Sequence, residues 1–434
     1  MTRENVAVVG AGIMGLTIAY ELLKKGFDVS IFEKDDRIGG MSASFNFDGL
    51  KIERYYHFFC KPDLPLFELL KELGIYGDLR WKETKMGFFY EGKLYKWGTP
   101  RALLAFDGLD LISKIRFALQ IYLAINKKKW DKLDRLKATD WIIKFIGEKA
   151  YKVLWESLLR LKFHDFKDQV SAAWVWRRLK RVGVSRRNLF TETLSYLEGG
   201  ATRLLEALEK NIVELGGKLF LKAGVEQVKI EKNKTVGLHL NNRELKFDKV
   251  ITTIPLTYIP KLVEGLPEDL LSRYRSVNNI GVVCVILKLT NRLTENFWLN
   301  INDRRVDLPG IIEYSNINPL KQKIVYFPFY LHRETKTYKE SDQYYFDKVQ
   351  SYCRIINESF SKDWILAQKI HRYEFAQPVC TPEFMEKLPP IKTGIDGLFI
   401  MDTSFHYPED RSMSESIKLG KKIAETISQQ KEYP

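Results

Sequence analysis

The sequence predicts an α/β protein: a Rossmann-like dinucleotide-binding domain interleaved with an α+β domain. Three observations predict it. Near the N-terminus a short apolar run, a glycine-rich turn, a helical pattern and a second apolar run follow one another in register. The middle of the chain divides into a stretch with apolar residues at helical spacing, about 101–190, and one of long β-branched runs, about 275–375. The chain is 434 residues long and 45% apolar, enough for two or three domains of roughly 100–200 residues with large cores.

Residues 6–9 are wholly apolar, as a buried parallel strand requires. Gly10, Ala11, Gly12, Ile13, Met14 and Gly15 follow at once, then a helical pattern over 16–25 ended by Gly26, then a second strand over 27–32 with Glu33 at its end. Gly10 permits the tight turn. Gly12 lets backbone approach a pyrophosphate, with Ile13 and Met14 opening the helix whose free amides face the phosphates. Gly15 lets helix and strand pack closely. Glu33 stands 18 residues past Gly15, where a carboxylate binds ribose hydroxyls and repels a 2′-phosphate, which argues against NADP.

Beyond Glu33 the chain reads Lys34, Asp35, Asp36, Arg37, Ile38, Gly39, Gly40, Met41, Ser42. This extension resembles the ExxxRxGG pattern of the superfamily of FAD-dependent amine oxidases, protoporphyrinogen oxidases and phytoene desaturases. The resemblance runs in family order through the chain. It covers Gly224-Val225, the 248–255 segment with Thr253, and 397–402, where Asp402 matches the aspartate of a GD motif and Met401 replaces its glycine. It implies FAD as the cofactor. It implies that Lys34, Arg37, Gly40, Met41 and Ser42 lie along the pyrophosphate and ribityl chain, Val225 at the adenine and Asp402 at the ribityl hydroxyls. Arg411, Ser416 and Ile417 would lie at the helix over 417–427, whose N-terminus stabilises negative charge on reduced flavin. It also implies the organisation: residues 1–85, 190–255 and 385–434 form the FAD-binding domain, of the type with two dinucleotide-binding folds. Residues 86–189 and 256–384 form the substrate domain, a helical part plus an antiparallel sheet facing the flavin.

The stretch Glu53-Arg54-Tyr55-Tyr56-His57-Phe58-Phe59 follows the Gly-Gly segment. His57 and Tyr56 are the candidate acid–base groups, with Tyr55 beside substrate; the alternative is an aromatic core with His57 bonded to backbone. Phe89, Arg160, Gln377, His406 and Tyr407 are candidate substrate-wall residues. Each has a structural alternative, such as an i,i+4 pair for Glu156 and Arg160. Amine oxidases of the resembling family carry a lysine facing the flavin on the strand matching 280–289. Val283 or Cys284 stands there, and Lys288 lies further along, so amine oxidation is disfavoured.

The net charge is +14, from 69 basic and 55 acidic residues. It favours anionic partners; with no nucleic-acid module present, nucleic acid is not expected. Lys114, Arg116, Lys127, Lys128, Lys129 and Lys132 flank an apolar helix over 111–125. Arg177, Arg178, Lys180, Arg181, Arg186 and Arg187 stand beside Trp174 and Trp176. These clusters suit peripheral contact with an anionic membrane, a diphosphate-bearing substrate, or simply a solvated face. No stretch reaches 18 uncharged apolar residues, and the first residues carry no secretory pattern. The four cysteines, Cys60, Cys284, Cys353 and Cys380, match no metal or disulfide framework. The expected location is cytoplasmic, with association at the inner membrane face.

The reading that follows is an FAD-dependent oxidoreductase, desaturase- or oxidase-like. It transfers hydride between a carbon centre of an apolar or lipid-like small molecule and flavin N5, with oxygen or another acceptor regenerating the flavin. A non-redox flavin-dependent mutase acting on a nucleotide-diphosphate sugar is the alternative, since the chain also resembles, more distantly, UDP-galactopyranose mutases. A flavin-bound partner without turnover is a third reading.

Overall fold

A computed structural model describes residues 3–188 and 191–429. The expected domain limits at 189/190 and 434 lie outside the described residues. Strands Asn5–Val9 and Asp28–Phe32 form the centre of a five-stranded, wholly parallel sheet. Lys218–Phe220 pairs with Asp28–Phe32 on one side, and Lys249–Thr252 then Leu398–Ile400 extend it on the other. Three separate parts of the sequence thus build one sheet, as parallel strands joined by long connections do. Helix Ile13–Lys24 packs between the sheet and helices Ala201–Glu214 and Met413–Gln429. The approach is close: a Cβ on Gly420 would sit 3.0 Å from Thr17, and one on Gly15 2.0 Å from the Gly10 carbonyl oxygen.

A seven-stranded sheet forms the second half, in the order Ile365–Pro378, Asn279–Leu289, Lys323–Leu331, Gly310–Glu313, Trp298–Asn302, Met86–Tyr90, Lys93–Trp97. The antiparallel sheet expected from sequence is in fact mixed, because Trp298–Asn302 runs parallel to Met86–Tyr90. Asn279–Leu289 is buried along almost its whole length because both its faces are covered. Val283, Val285 and Leu287 pack with Val349 and Cys353 of helix Asp342–Ile356, whereas Val282, Cys284 and Ile286 face the interior. That helix interrupts the stretch read from sequence as strands only. Its amphipathic face serves as the outer cover of the sheet.

The helical part contains Leu111–Asn126, Ala138–Ile146, Ser157–Phe163 and Ala172–Val184. Within the stretch read as helical, the chain breaks at Gly147, whose φ of 83° lies in the left-handed region. All four cysteines are buried and free.

Candidate functional site

The two sheets meet across a cavity of about 1830 Å³. This exceeds the ~300–1,000 Å³ of an ordinary small-molecule pocket, so a dinucleotide and a second molecule fit together. One end is the glycine turn. Gly10, at φ 103°, crosses under Thr253, whose hydroxyl donates to Val9 and Gly10 carbonyls. Gly12 caps the helix Ile13–Lys24 with no side-chain bond, and a Cβ built there meets nothing within 4 Å. The first helical amides therefore point into open cavity. Gly39, Gly40, Met41 and Ser42 form a second turn beside the first, with Gly39 N donating to the Ala11 carbonyl at 2.8 Å.

The Glu33 carboxylate lies at this junction, accepting from Ala11 N at 2.8 Å and Asp35 N at 2.9 Å. Lys34 and Val225 line the same end; residues 222–223 are bonded to the Glu33 and Asp35 carbonyls, which brings Val225 there. Asp402 accepts from Leu256 N and Ser404 N at 2.9 and 2.8 Å, and burial raises its pKa. It thereby ties the end of the Lys249–Thr252 connection to the cavity floor. Met401, in the glycine position of the GD motif, points away: it is fully buried under the sheet.

Several expected site residues are placed elsewhere. Arg37 is turned onto Asp36 and the Ser44 carbonyl, outside the cavity, and Arg54 takes its place at the wall. Arg54 is paired to Asp35 at 2.6 Å and keeps a buried Nε without a partner. Gly15 and Ile417 support the site from beneath rather than line it. Phe89 faces the outer layer because strand residues alternate; Phe88 lines the cavity instead. Arg160 is exposed to solvent. Gln377 is buried and bonded to the Pro378 carbonyl. His406 and Tyr407 lie behind the wall: the Tyr407 hydroxyl bonds Asp134 and Ser171, and burial lowers the His406 pKa to about 3. Trp174 and Trp176 are core residues, so neither of these two indoles is exposed beside that basic cluster.

Opposite the glycine turn, Tyr55, Tyr56 and His57 line the cavity with Tyr330, Tyr373, Trp298 and Cys284. His57 is half-buried, and its Nδ1 has no hydrogen-bond partner. Burial, and then Arg411, lower its pKa to about 4, so the imidazole is neutral at pH 7. Burial keeps the Tyr56 phenol protonated. On the matching strand, Cys284 and not Val283 faces the cavity, and Lys288 is engaged with the Asp48 carbonyl and carboxylate at 2.7 Å. Sequence reasoning missed Tyr330, Tyr373, Trp298 and Lys162. Their signal, alternate positions on long strands and one helix face, has meaning only once the sheet order is known.

The residues fit FAD. The uncapped helix and side-chain-free Gly12 leave a cradle that a Cβ would fill. Buried polar atoms without partners, Arg54 Nε, Arg411 Nη1 and Ser414 Oγ, line the same cavity. Arg411, Ser414 and Ser416 stand at the start of helix Met413–Gln429, whose dipole favours negative charge.

A family model described as flavin containing amine oxidoreductase matches residues 13–336. The zeta-carotene desaturase of Synechocystis sp. (strain ATCC 27184 / PCC 6803 / Kazusa) is 25% identical over 332 residues, 69% of this chain and 67% of that protein. The 4,4'-diapolycopen-4-al dehydrogenase of Metabacillus indicus is 27% identical over 57% of this chain and 55% of that protein. The chain thus spans from about half to two thirds of these curated relatives. Among solved structures, a putative protoporphyrinogen oxidase from Exiguobacterium sp. 255-15 superposes with TM-score 0.76 at 16% identity, covering 99% of this chain and 100% of that one. An oxidoreductase from Methanosarcina mazei gives 0.74 at 18%, covering 97% and 100%.

Proposed function

Because the chain belongs to the flavin containing amine oxidoreductase family, we infer that it is an FAD-dependent oxidoreductase that desaturates an apolar, lipid-like substrate. The observation that carries this reading is the continuity of the cavity. It runs from the glycine cradle past His57 to Leu103, Ile115, Ala118 and Tyr122 at its mouth. Bound flavin supplies a hydride acceptor or donor at N5.

The chain's own residues bind, orient and exclude water. Gly12, Gly40–Ser42 and Arg54 hold the pyrophosphate, Glu33 a ribose and Asp402 the ribityl hydroxyls. Tyr56, Phe58 and Trp298 pack edge to face or stacked, at ring separations of 5.6–6.5 Å, and keep water from the reacting carbon. The His57 imidazole, neutral at pH 7, takes or returns the proton. Tyr55 and Tyr330 flank substrate. Cys284 in place of the family lysine supports carbon–carbon rather than amine chemistry, as does the relative named as a zeta-carotene desaturase. The apolar wall supports a lipid-like molecule over a nucleotide sugar.

Helix Leu111–Asn126 supports membrane contact at this mouth. Its inward positions include Ser113 and Gln120, while Leu111, Ile112, Ile115, Leu119, Tyr122 and Leu123 are exposed, Ile112 at 70%. An apolar face turned to solvent beside Lys114, Arg116 and Lys127–Lys129 fits an anionic bilayer surface. Among the described residues no helix is long and apolar enough to cross a membrane.

Anaerobic mixing of the FAD-loaded protein with lipid extract tests the reading. The flavin is expected to bleach, and His57→Asn to slow bleaching by about 10²–10⁴-fold, the usual worth of general acid–base catalysis. Reduction by added nicotinamide cofactor alone, with no lipid fraction active, would overturn it.

A further inference from the structure

Three arginines of helix Ala172–Val184 reach the cavity wall, and each has a carboxylate. Arg177 pairs with Glu409, Arg178 Nη1 with Asp410 at 3.1 Å and Arg181 Nη2 with Asp63 at 3.0 Å. Two further cations on the same wall lack a carboxylate of their own. Lys162 is 4% exposed, and its Nζ lies 4.0 Å from Asp410, which Arg178 already holds. Arg411 has a buried Nη1 with no partner, and its Nη2 reaches only the Tyr330 hydroxyl, at 3.5 Å. Both cations lie over the Tyr330 ring, at 5.2 and 5.9 Å from its centroid.

A buried cation that shares its counter-charge is costly, so this wall favours an added anion. Arg411 stands at the start of helix Met413–Gln429 and suits the charge of reduced flavin. Lys162 belongs to helix Ser157–Phe163 in the substrate half, boxed between Tyr330 and Trp174, the latter 4.8 Å away. Leu158, Leu179, Val182 and Ile115 line the same cavity and form an apolar track toward its mouth.

We propose that Lys162 anchors the anionic head group, phosphate or carboxylate, of a long-chain lipid substrate whose chain follows this apolar track. The proposal rests on the apolar-substrate reading above and adds the charged end to it. Titration agrees with the geometry. Burial brings Lys162 down to about 7; Asp410 and Cys380 oppose this, and Arg178 and Arg411 reinforce it. An arriving anion restores the missing fraction of charge, so binding takes up a proton.

Calorimetric titration of the FAD-loaded enzyme with dodecyl phosphate, dodecanoate and dodecanol tests this. At least one anion is expected to bind about tenfold or more tighter than dodecanol at pH 7. With dodecanoate above pH 7, titrations in two buffers of different ionisation heat should reveal proton uptake. Lys162→Met should lose both the preference and the proton while keeping dodecanol binding, FAD content and flavin spectrum. The two anions separate a phosphate head from a carboxylate. Equal binding of all three probes, or a preference that survives Lys162→Met, overturns the anchor alone. Loss of FAD in Lys162→Met assigns the lysine to the cofactor and overturns it too. Failure of every probe to bind overturns the apolar-substrate reading with it.

Discussion

Gly12 separates folding from cofactor binding, and Gly12→Asp tests that separation. Its φ of −70° and ψ of 173° suit any L-residue, and an added Cβ meets nothing within 4 Å. Aspartate is among the best N-caps, worth a few tenths to about 1 kcal/mol over poorer ones. The apoprotein should therefore melt no lower than wild type. FAD should be lost, because the carboxylate occupies the cradle and repels the pyrophosphate. Forfeiting two charge-assisted amide–phosphate bonds, at about 1.5–3 kcal/mol each, costs about 3–6 kcal/mol. That is roughly a 10²–10⁴-fold weaker Kd before repulsion is added. Gly15→Ala behaves oppositely: its Cβ falls 2.0 Å from the Gly10 carbonyl oxygen, so the turn itself must open and the apoprotein melt early. Quenching of FAD fluorescence by apoprotein and thermal melts of both apo variants measure the two effects. A yellow Gly12→Asp protein with wild-type affinity would refute the reasoning, as would an apo form that melts well below wild type.

Other expectations follow from the same structure. With His57 held near 4, a rate that needs its neutral ring should stay flat from about pH 8 to about pH 5.5 and fall only toward pH 4; an inflection near 6.5 counts against it. Glu192, raised to about 7 by burial, binds a proton more readily folded than unfolded, so its burial penalises stability as pH rises from about 4.5 through 7. Glu192→Gln should stabilise the fold at pH 8 by at most about 3 kcal/mol, read as a higher Tm, and leave it nearly unchanged at pH 4. Replacing Ile112, Ile115 and Leu119 together by glutamate should abolish flotation with anionic vesicles while the flavin spectrum stays intact. Each buried side chain contributes about 1.5–3 kcal/mol, so unchanged flotation would remove helix Leu111–Asn126 from the membrane reading.

The sequence by itself determined the dinucleotide unit, because its signals are local. A four-residue apolar strand, three glycines and an acidic residue at the next strand end specify backbone geometry within 33 residues. The same is true of the candidate histidine, which sits in an aromatic run just past the second glycine turn. Local pattern did not determine which side chains share the cavity. Arg37 and Arg54 are equally good cations in one dimension; only the hairpin Ser44–Phe47 with Leu50–Glu53 turns the second inward. Phe88 and Phe89 differ by one residue, and the pleat alone decides which meets substrate. Asp410 lies 232 residues beyond Arg178, and it meets Arg178 and Lys162 only through packing of Ser157–Phe163 and Ala172–Val184 against the loop before Met413–Gln429. Charge matching across such distances depends on tertiary contacts, and no periodicity encodes them.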